Sequence, residues 1–210
     1  MKQLIIVGAG GFGREVLSWA LQNPECGQKW VVKGFINDIT DALDGYGYEV
    51  PILSSIDDYE PDPEDLLVCA IGEPAGKKKV CQKLLAKGGV FTNLIHPTAH
   101  QGLHVQMGQG IVICPWVGLS VDIVLGDFVT LNGRCIIGHD VVIDEWATIG
   151  PNSTVAGYAH IGSEATVGMN AAVLPHTKVG EKAVVGAGSV AGKRVKPGQT
   201  VFGIPAVPIC

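Results

Sequence analysis

Several features that would assign this chain to a familiar class are missing from its sequence. In 210 residues there is no uninterrupted apolar run of about 18, the length that a membrane-spanning helix requires. The six cysteines form no C-x-x-C pair, so we expect reduced thiols and not a zinc ribbon or a dithiol centre. Acidic residues outnumber basic ones by 20 to 15, and the formal net charge of −5 gives no basis for nucleic-acid binding. Residues 1–20 lack a signal-peptide pattern, and we expect a cytoplasmic protein.

Glycine, in contrast, is abundant at 29 residues, and much of it follows a six-residue repeat. Across residues 107–190 an aliphatic residue or methionine opens each unit: Met107, Ile113, Leu119, Leu125, Leu131, Ile137, Ile143, Ile149, Val155, Ile161, Val167, Val173, Val179 and Val185. A small or β-branched residue follows four positions later, and glycine often comes directly after the opening residue. This period predicts a β-solenoid in which both repeated side chains point into a narrow core. We expect the glycines to relieve corners where a Cβ would be strained.

The first part of the chain has a different pattern, in which short apolar strands alternate with helices. Strands are predicted over residues 4–7, 31–36, 66–71 and 90–95, and helices over residues 14–22 and 77–87. Alternation of this kind indicates a parallel sheet. Four strands amount to half of a dinucleotide-binding fold. We therefore predict a Rossmann-like, sugar-nucleotide-binding domain over residues 1–98 and a β-helix domain over residues 99–210.

A glycine-rich loop connects the first predicted strand to the first helix. Gly8, Gly10 and Gly13 match G-x-G-x-x-G, and backbone amides at a helix start suit a phosphate group. The alternative is a tight turn with only a structural role. Asp38, at the end of the second strand, lies further along the chain than the acidic residue of an NAD site. The small domain favours a mononucleotide or the nucleotide part of a sugar nucleotide.

These motifs, in this order, resemble those of a known family. The opening IIVGAGGFGRE, the AIG after the third strand, the NLIHPTA hinge and the hexapeptide tail are similar to the bacterial sugar acyltransferases of the sialic acid O-acetyltransferase and nucleotide-aminosugar N-acetyltransferase group. The resemblance implies an α/β N-terminal half-Rossmann domain followed by a left-handed parallel β-helix of hexapeptide repeats. It also implies a homotrimer with active sites between subunits, acetyl-CoA as cosubstrate and no metal.

His139 and Asp140 are the candidate catalytic residues. They take the third and fourth places of the unit at residues 137–142, and neither place points into the core. The resemblance implies that His139 is the general base, which suits an imidazole that titrates near neutral pH. Asp140 could hold one imidazole tautomer, although consecutive residues on a strand point to opposite sides. A solvated surface histidine is the alternative.

The resemblance also implies binding residues. Gly157, one 18-residue coil after His139, would offer its backbone N–H to the thioester carbonyl, unless it is only a corner glycine. Asn132 would lie near the sugar, unless it is only a solvent-facing turn residue. The implied substrate contacts are Gly10, Gly11, Phe12, Asn37, Asp38, Ile71, Gly72 and Asn132. The implied acetyl-CoA contacts are Thr148, Gly157, Ala187, Lys193 and Arg194.

Two positions depart from the family pattern. Thr148 stands where the aminosugar acetyltransferases often have a second histidine near the coenzyme, and Val207 stands where a basic residue usually follows residues 203–206. Phosphate neutralisation would then fall to Lys193, Arg194 and Lys196, unless these lie on a solvated loop. Asn37 and Asp38 replace what is often a pair of acids.

The function that the sequence favours is acetyl-CoA-dependent N-acetylation of a nucleotide-linked 4-aminosugar, by direct transfer with His139 as base. Such a reaction belongs to surface polysaccharide biosynthesis in the family. One alternative is O-acetylation of sialic acid or another sugar. An alternative of a different class is a non-catalytic trimeric scaffold that senses a nucleotide.

Overall fold

The computed structural model describes residues Met1–Ile209 and separates into two compact units. The first unit is Met1–Pro97, and the second begins at Thr98. Among the helices of the described residues, none is long and apolar enough to span a membrane. Cys26, Cys69, Cys81, Cys114 and Cys135 are free thiols, and the prediction for Cys210 lies outside the described residues.

The first unit contains a four-stranded parallel sheet with the order β3-β2-β1-β4. Leu4, Ile5, Ile6 and Val7 are fully buried, as expected for a central strand of a parallel sheet with both faces covered. The elements, in chain order, are β1 (Lys2–Val7), α1 (Gly11–Gln22), β2 (Trp30–Ile36), β3 (Ile52–Ser54), β4 (Asp65–Cys69), α2 (Pro74–Ala86) and β5 (Leu94–Ile95).

The prediction that residues 90–95 form the fourth strand of this sheet was wrong. The sheet consists of β1, β2, β3 and β4, and the strand that the sequence analysis did not predict is β3, which pairs with β2. Residues 90–95 contribute the short β5 and one isolated parallel bridge, between Phe91 and Leu67. Val90 is 58% exposed whereas Phe91 and Leu94 are buried, so the run is not the continuously buried strand that was predicted. The edge strand β3 has only three residues, too few for a periodic pattern to show.

The second unit is a β-helix whose strands have two residues each, except for the last two, which have four and three. They are β6 (His100–Gln101), β7 (Gln106–Met107), β8 (Val112–Ile113), β9 (Gly118–Leu119), β10 (Val124–Leu125), β11 (Thr130–Leu131), β12 (Ile136–Ile137), β13 (Val142–Ile143), β14 (Thr148–Ile149), β15 (Thr154–Val155), β16 (His160–Ile161), β17 (Thr166–Val167), β18 (Ala172–Val173), β19 (Lys178–Val179), β20 (Val184–Val185), β21 (Val190–Ala191), β22 (Thr200–Gly203) and β23 (Ala206–Pro208).

Every third strand stacks in parallel, so these strands form the three faces of a prism. The first face contains β6, β9, β12, β15, β18 and β21, and the second contains β7, β10, β13, β16 and β19. The third contains β8, β11, β14, β17, β20 and β22, and β23 lies antiparallel to β22. The predicted half-Rossmann domain followed by a left-handed β-helix of hexapeptide repeats is confirmed.

The repeated aliphatic residue is the second residue of each strand and fills the core. Ile137, Ile143 and Ile149 are fully buried, and so are the small residues Val141 and Ala147 that precede the next strand. Alternation along a strand turns the first residue of each pair outward. The residues available for function are therefore the first strand positions of the first and second faces and the exposed turns at the prism edges, whereas Val112, Thr130 and Thr148 on the third face are buried.

The glycines of the repeat lie where a Cβ would be strained, as expected, and the cause is close packing of successive coils. A Cβ on Gly138 would lie 2.7 Å from the backbone nitrogen of Gly157, and one on Gly150 would lie 2.7 Å from that of Met169. The left-handed conformation occurs two residues later, at non-glycine positions such as Asp140 (φ 58°) and Asn152 (φ 56°). Each of these turns therefore has a left-handed residue whose side chain points away from the core.

The helix–sheet layer of the first unit contains a buried cluster of titratable groups. Lys77 on α2 is 1% exposed, and it lies one helical turn from Cys81, which is fully buried. Burial lowers the pKa of Lys77 to about 8. A hydrogen bond with Cys81 and the nearby Lys77 charge lower the pKa of the Cys69 thiol, whereas the same hydrogen bond and burial raise the pKa of Cys81.

The Lys77→Met variant tests this buried charge. The folded-state pKa of about 8 lies below the ordinary value of 10.5, so the unfolded chain holds more protons between these pH values. Because Lys77 binds its proton more weakly in the folded state, the unfolding free energy of the wild type should rise between about pH 8 and pH 10.5. The rise should exceed that of Lys77→Met by up to about 3 kcal/mol. Urea denaturation from pH 7 to pH 10.5 measures the difference. Lys79→Met, at an exposed position of α2, is the control, and parallel curves for wild type and Lys77→Met would contradict the prediction.

Candidate active site

The turns that join the first face to the second form an edge that we call the histidine edge. His139 and Asp140 lie on this edge, between β12 and β13, with 51% and 42% of their side chains exposed. The Nδ1 atom of His139 is 2.8 Å from Oδ2 of Asp140. The left-handed conformation of Asp140 lets two consecutive side chains meet, because strand alternation does not apply there. The histidine edge comprises His104, Asp122, His139, Asp140, Gly157, Tyr158, His176, Lys193 and Arg194.

Gly157 lies against the imidazole of His139, one coil further along the same edge. Ile137 pairs with Val155, which sets the coil at 18 residues. A Cβ on Gly157 would lie 2.7 Å from both Cε1 and Nε2 of His139. Only a glycine therefore allows the ring to rest on the backbone at this position. The predicted neighbours His139, Asp140 and Gly157 are thus brought together.

An open cavity of about 420 Å³ lies beside His139 on the first face. Gly118 forms its floor and pairs with His100 on one side and Ile136 on the other. A Cβ on Gly118 would come within 2.9 Å of Ile136 Cδ1, so the missing side chain creates the depression. The cavity offers space for a substrate next to the imidazole.

Two aromatic residues beside His139 were not identified from the sequence. The ring of Tyr158 is 5.0 Å from that of His139 and perpendicular to it, and His176 stacks on Tyr158 at 4.8 Å. Tyr158 and His176 follow Asp140 at intervals of 18 residues, so counting one coil at a time along the sequence could have indicated that they stack beside His139.

The remaining predicted contacts of the second unit lie elsewhere on the prism. Asn132 and Ala187 lie on the turns from the third face to the first, which we call the asparagine edge, defined by Asn132, Arg134, Asn152, Asn170 and Ala187. The Nδ2 group of Asn132 donates to the carbonyl of Ile149 at 2.9 Å. Thr148 lies on β14 of the third face and is only 8% exposed. The whole first face separates Asn132 from His139 within one chain.

The basic residues lie at the far end of the histidine edge. Lys193 and Arg194 are exposed, three coils beyond His139 and Asp140. With Lys196 they line a cavity of about 470 Å³ that Val207 also lines. The position at which the family usually has a basic residue therefore lies next to three other basic side chains.

In the first unit, the glycine loop and the end of β2 are bound together. A Cβ on Gly13 would lie 2.1 Å from the Gly8 carbonyl oxygen, which makes glycine necessary there. The Ala9 N–H donates to Oδ1 of Asn37 at 3.0 Å, so the predicted ligand Asn37 braces the loop. Asp38 is exposed and accepts a hydrogen bond from the Ile56 N–H at 2.9 Å. Ile71 and Gly72 follow β4 at the same end of the sheet.

A cavity of about 540 Å³ opens beside this loop. Its lining includes Gly11 and Phe12, which were predicted, and Arg14 and Tyr48, which were not. The guanidinium of Arg14 lies 3.8 Å from the ring centre of Tyr46. The aromatic ring can hold this cation in place at the start of α1.

Comparisons with known proteins agree with both parts of this architecture. Residues 3–84 match the PglD N-terminal domain, and residues 122–157 match the bacterial transferase hexapeptide with six repeats. The structure is similar to the acetyltransferase domain of PglB from Neisseria gonorrhoeae in complex with acetyl coenzyme A, with a TM-score of 0.87 and 27% identity over 99% of both chains. The chain is thus similar to hexapeptide acyltransferases in both of its units.

Two further relatives of this chain are named for one sugar. GDP-perosamine N-acetyltransferase from Escherichia coli is 28% identical over 136 residues, which are 64% of this chain and 61% of that protein. A mutant perosamine N-acetyltransferase from Caulobacter crescentus, in complex with CoA and GDP-perosamine, has a TM-score of 0.85 over 100% of this chain and 98% of that chain. Its identity of 24% supports the fold alone. Among residues Met1–Ile209, the chain has no group of three or more potential metal ligands.

A Gly157→Ala substitution tests the contact between this residue and His139. The added methyl would lie 2.7 Å from Cε1 and Nε2, so the imidazole must move and the Nδ1 contact with Asp140 should lengthen beyond 2.8 Å. A crystal structure of the variant measures this. Gly133→Ala is the control, because it has the same place in its repeat and its Cβ would lie 3.5 Å from the nearest atom. An unmoved imidazole in Gly157→Ala would contradict the geometry.

Proposed function

We propose that this chain is a cytoplasmic acetyl-CoA-dependent N-acetyltransferase that acts on the 4-amino group of a nucleotide-linked aminosugar. The observation that carries the proposal is the His139 imidazole, held by Asp140 and resting on Gly157 beside an open cavity. The acetyl-CoA complex of the gonococcal relative and the name of the Escherichia coli relative support the cosubstrate and the acceptor class.

The proposed reaction is a direct transfer. The acceptor nitrogen attacks the thioester carbonyl carbon, and its proton passes to Nε2 of His139. The Nδ1 proton of His139 is donated to Asp140, which stabilises the imidazolium as it forms. The C–S bond then breaks, and the CoA thiolate takes the proton from His139. Because a thioester is already activated, no covalent enzyme intermediate is needed.

Gly157 is proposed to stabilise the oxyanion of the tetrahedral intermediate. Its backbone lies one coil from His139 and under the imidazole ring, so a reacting carbonyl near Nε2 is also near this peptide. A backbone N–H aimed at a developing oxyanion contributes typically about 3 kcal/mol of transition-state stabilisation. The base and the oxyanion donor would thus come from successive coils of one edge.

The histidine edge also suits the length of acetyl-CoA. Lys193 and Arg194 lie three coils beyond the catalytic pair and two coils beyond Gly157 and Tyr158, the latter roughly 10 Å along the axis at the spacing of parallel strands. A pantetheine arm along this edge would join a thioester at Gly157 to phosphates at the basic end. The charges of Lys193, Arg194 and Lys196 would neutralise those phosphates. They would thereby replace the basic side chain that the family usually has at the position of Val207.

The first unit is proposed to bind the nucleotide. The backbone of Gly10, Gly11 and Phe12 starts α1, where amide groups favour a diphosphate. Arg14 adds a cation beside them. The exposed Asp38, Asn37 and the turn at Ile71 and Gly72 would contact the ribose and base at the carboxyl ends of the strands.

We propose a homotrimer in which neighbouring chains complete each site. The first face and its borders expose apolar side chains, among them Ile136 (49%), Leu174 (43%) and Val121 (37%). Packing this face against another copy would bring the histidine edge of one chain to the asparagine edge of the next. Asn132, Ala187 and Thr148 would then act on a site whose base comes from the neighbour. Thr148 is only 8% exposed, so little of its side chain is available for such a contact.

Mixed oligomers test the shared site. His139→Gln and Asn132→Ala chains should each be inactive alone if both groups act in every site. After joint refolding, some sites of the mixed trimers combine the intact His139 of an Asn132→Ala chain with the intact Asn132 of a His139→Gln chain. Random assortment of equal amounts gives this combination in about a quarter of the sites, so up to about a quarter of the activity should return. Sedimentation gives the oligomeric state. Inactive mixtures of proven mixed trimers would show that both residues must come from one chain.

The substrate and the base are tested by release of thiol from acetyl-CoA. The panel contains GDP-, UDP- and dTDP-linked 4-amino-6-deoxysugars and free sialic acid. We expect turnover with a nucleotide aminosugar and a loss of 10²-fold or more in His139→Gln, as for removal of a general base. Lys178→Gln, on the second face, is the control.

Other outcomes of this assay would overturn the proposal in different ways. Turnover with sialic acid alone would make the chain an O-acetyltransferase. Full activity of His139→Gln would exclude His139 as the general base. Nucleotide binding with no acyl transfer to any acceptor would favour a nucleotide-sensing scaffold.

A further inference from the structure

The position of Tyr158 is not explained by packing of the core. The residue is 52% exposed, and its backbone is left-handed with φ 60°, a conformation that bulky side chains seldom adopt. The ring nevertheless has fixed neighbours on both sides along the histidine edge.

The ring of Tyr158 is sandwiched between two histidines. Asp140, Tyr158 and His176 occupy the same turn position on three successive coils, with φ values of 58°, 60° and 59°. Their side chains leave the backbone in the same direction, which stacks Tyr158 and His176 at 4.8 Å with an angle of 3° between the rings. His139 belongs to the preceding coil, so the edge of its perpendicular ring, 5.0 Å away, meets the other face of Tyr158.

This arrangement suits an imidazole that becomes positively charged. The face of a phenol ring carries partial negative charge, and a cation within about 6 Å of the ring centre is attracted to it. Edge-to-face contact with the ring also favours one orientation of a neutral imidazole. With Asp140 at Nδ1 and Gly157 against Cε1 and Nε2, Tyr158 is the third contact that restricts His139.

We propose that Tyr158, packed on His176, is a positioning residue for His139: its aromatic face orients the imidazole toward the acceptor and stabilises the imidazolium that forms when the acceptor loses its proton. This inference rests on the proposed acetyl transfer. The proton passes from the acceptor nitrogen to Nε2 of His139 and then to the departing CoA thiolate, and Tyr158 exchanges no proton. Its hydroxyl group is not required.

Two variants separate the ring from the hydroxyl group. Tyr158→Leu removes the aromatic face, and Tyr158→Phe keeps it. For Tyr158→Leu we expect kcat to fall about two- to five-fold, the loss that corresponds to one partly exposed cation–π contact. The KM values for acetyl-CoA and for the aminosugar nucleotide should change less than two-fold. Tyr158→Phe should keep the wild-type kcat.

The pH profile distinguishes positioning from a merely structural role. Without the ring the imidazolium is less stable, so the base deprotonates at lower pH. The acid limb of kcat/KM in Tyr158→Leu should therefore move to lower pH, by about half a unit. The other titratable side chains around His139 remain in both variants, and they are Asp140, the hydrogen-bonded pair His104 and Asp122, His176 and His100.

A second measurement needs no substrate. In protein with ¹³C-labelled histidine rings, the titration midpoint of His139 should move to lower pH in Tyr158→Leu and stay in Tyr158→Phe, with His139→Gln identifying the signal. The proposal is overturned if Tyr158→Leu keeps both the wild-type kcat and the wild-type midpoint, or if Tyr158→Phe loses as much activity as Tyr158→Leu. Absence of turnover in the wild type would reject the proposed function, and the titration would still decide the role of Tyr158.

Discussion

Parallel hydrogen bonding between successive coils fixes a repeat of 18 residues, and the candidate site depends on that register. The Gly138 N–H donates to the Val155 carbonyl at 2.8 Å, and the Asp140 N–H donates to the Val121 carbonyl at 3.1 Å. A slip of one residue would turn the buried aliphatic side chains outward, so the register is strongly specified. Residues 18 apart must consequently stack, and this places a glycine against His139 and an aromatic ring beside it.

The close spacing of the coils also explains where glycine and left-handed residues occur. At Gly138 and Gly150 the backbone of the next coil is so close that an added Cβ would lie 2.7 Å from a backbone nitrogen, so only the hydrogen of a glycine fits. The change of direction is made two residues later, by residues such as Asp140 and Tyr158. On the histidine and asparagine edges the side chains at that position are exposed, whereas Phe128, Trp146 and Glu164 at the same position of the remaining edge are buried. The repeat thus separates the residues that build the prism from those that can acquire a chemical role.

The sequence was a good guide wherever function follows from the six-residue period. The buried positions, the faces and the spacing of His139 and Gly157 could all be counted along the chain. The contact of His139 with Asp140 could not, because strand alternation predicts opposite directions and only the left-handed turn reverses one of them. Tyr158 and His176 were missed although they follow Asp140 at the 18-residue spacing of the coil. Strand β3 escaped notice because three edge residues after Pro51 carry too little pattern.

The prism has a further consequence for how such a chain can change in length. Each unit of six residues advances the chain by one face, so adding a single unit between His139 and Lys193 would rotate all later positions by a third of a turn. The basic end would then belong to a different edge from the histidine. Only additions or losses of a whole coil keep every downstream side chain on its edge, and these change the distance along the axis by about 4.8 Å. The chain can therefore change in length only by whole coils, and each added or lost coil changes the distance along the axis that a bound ligand must span.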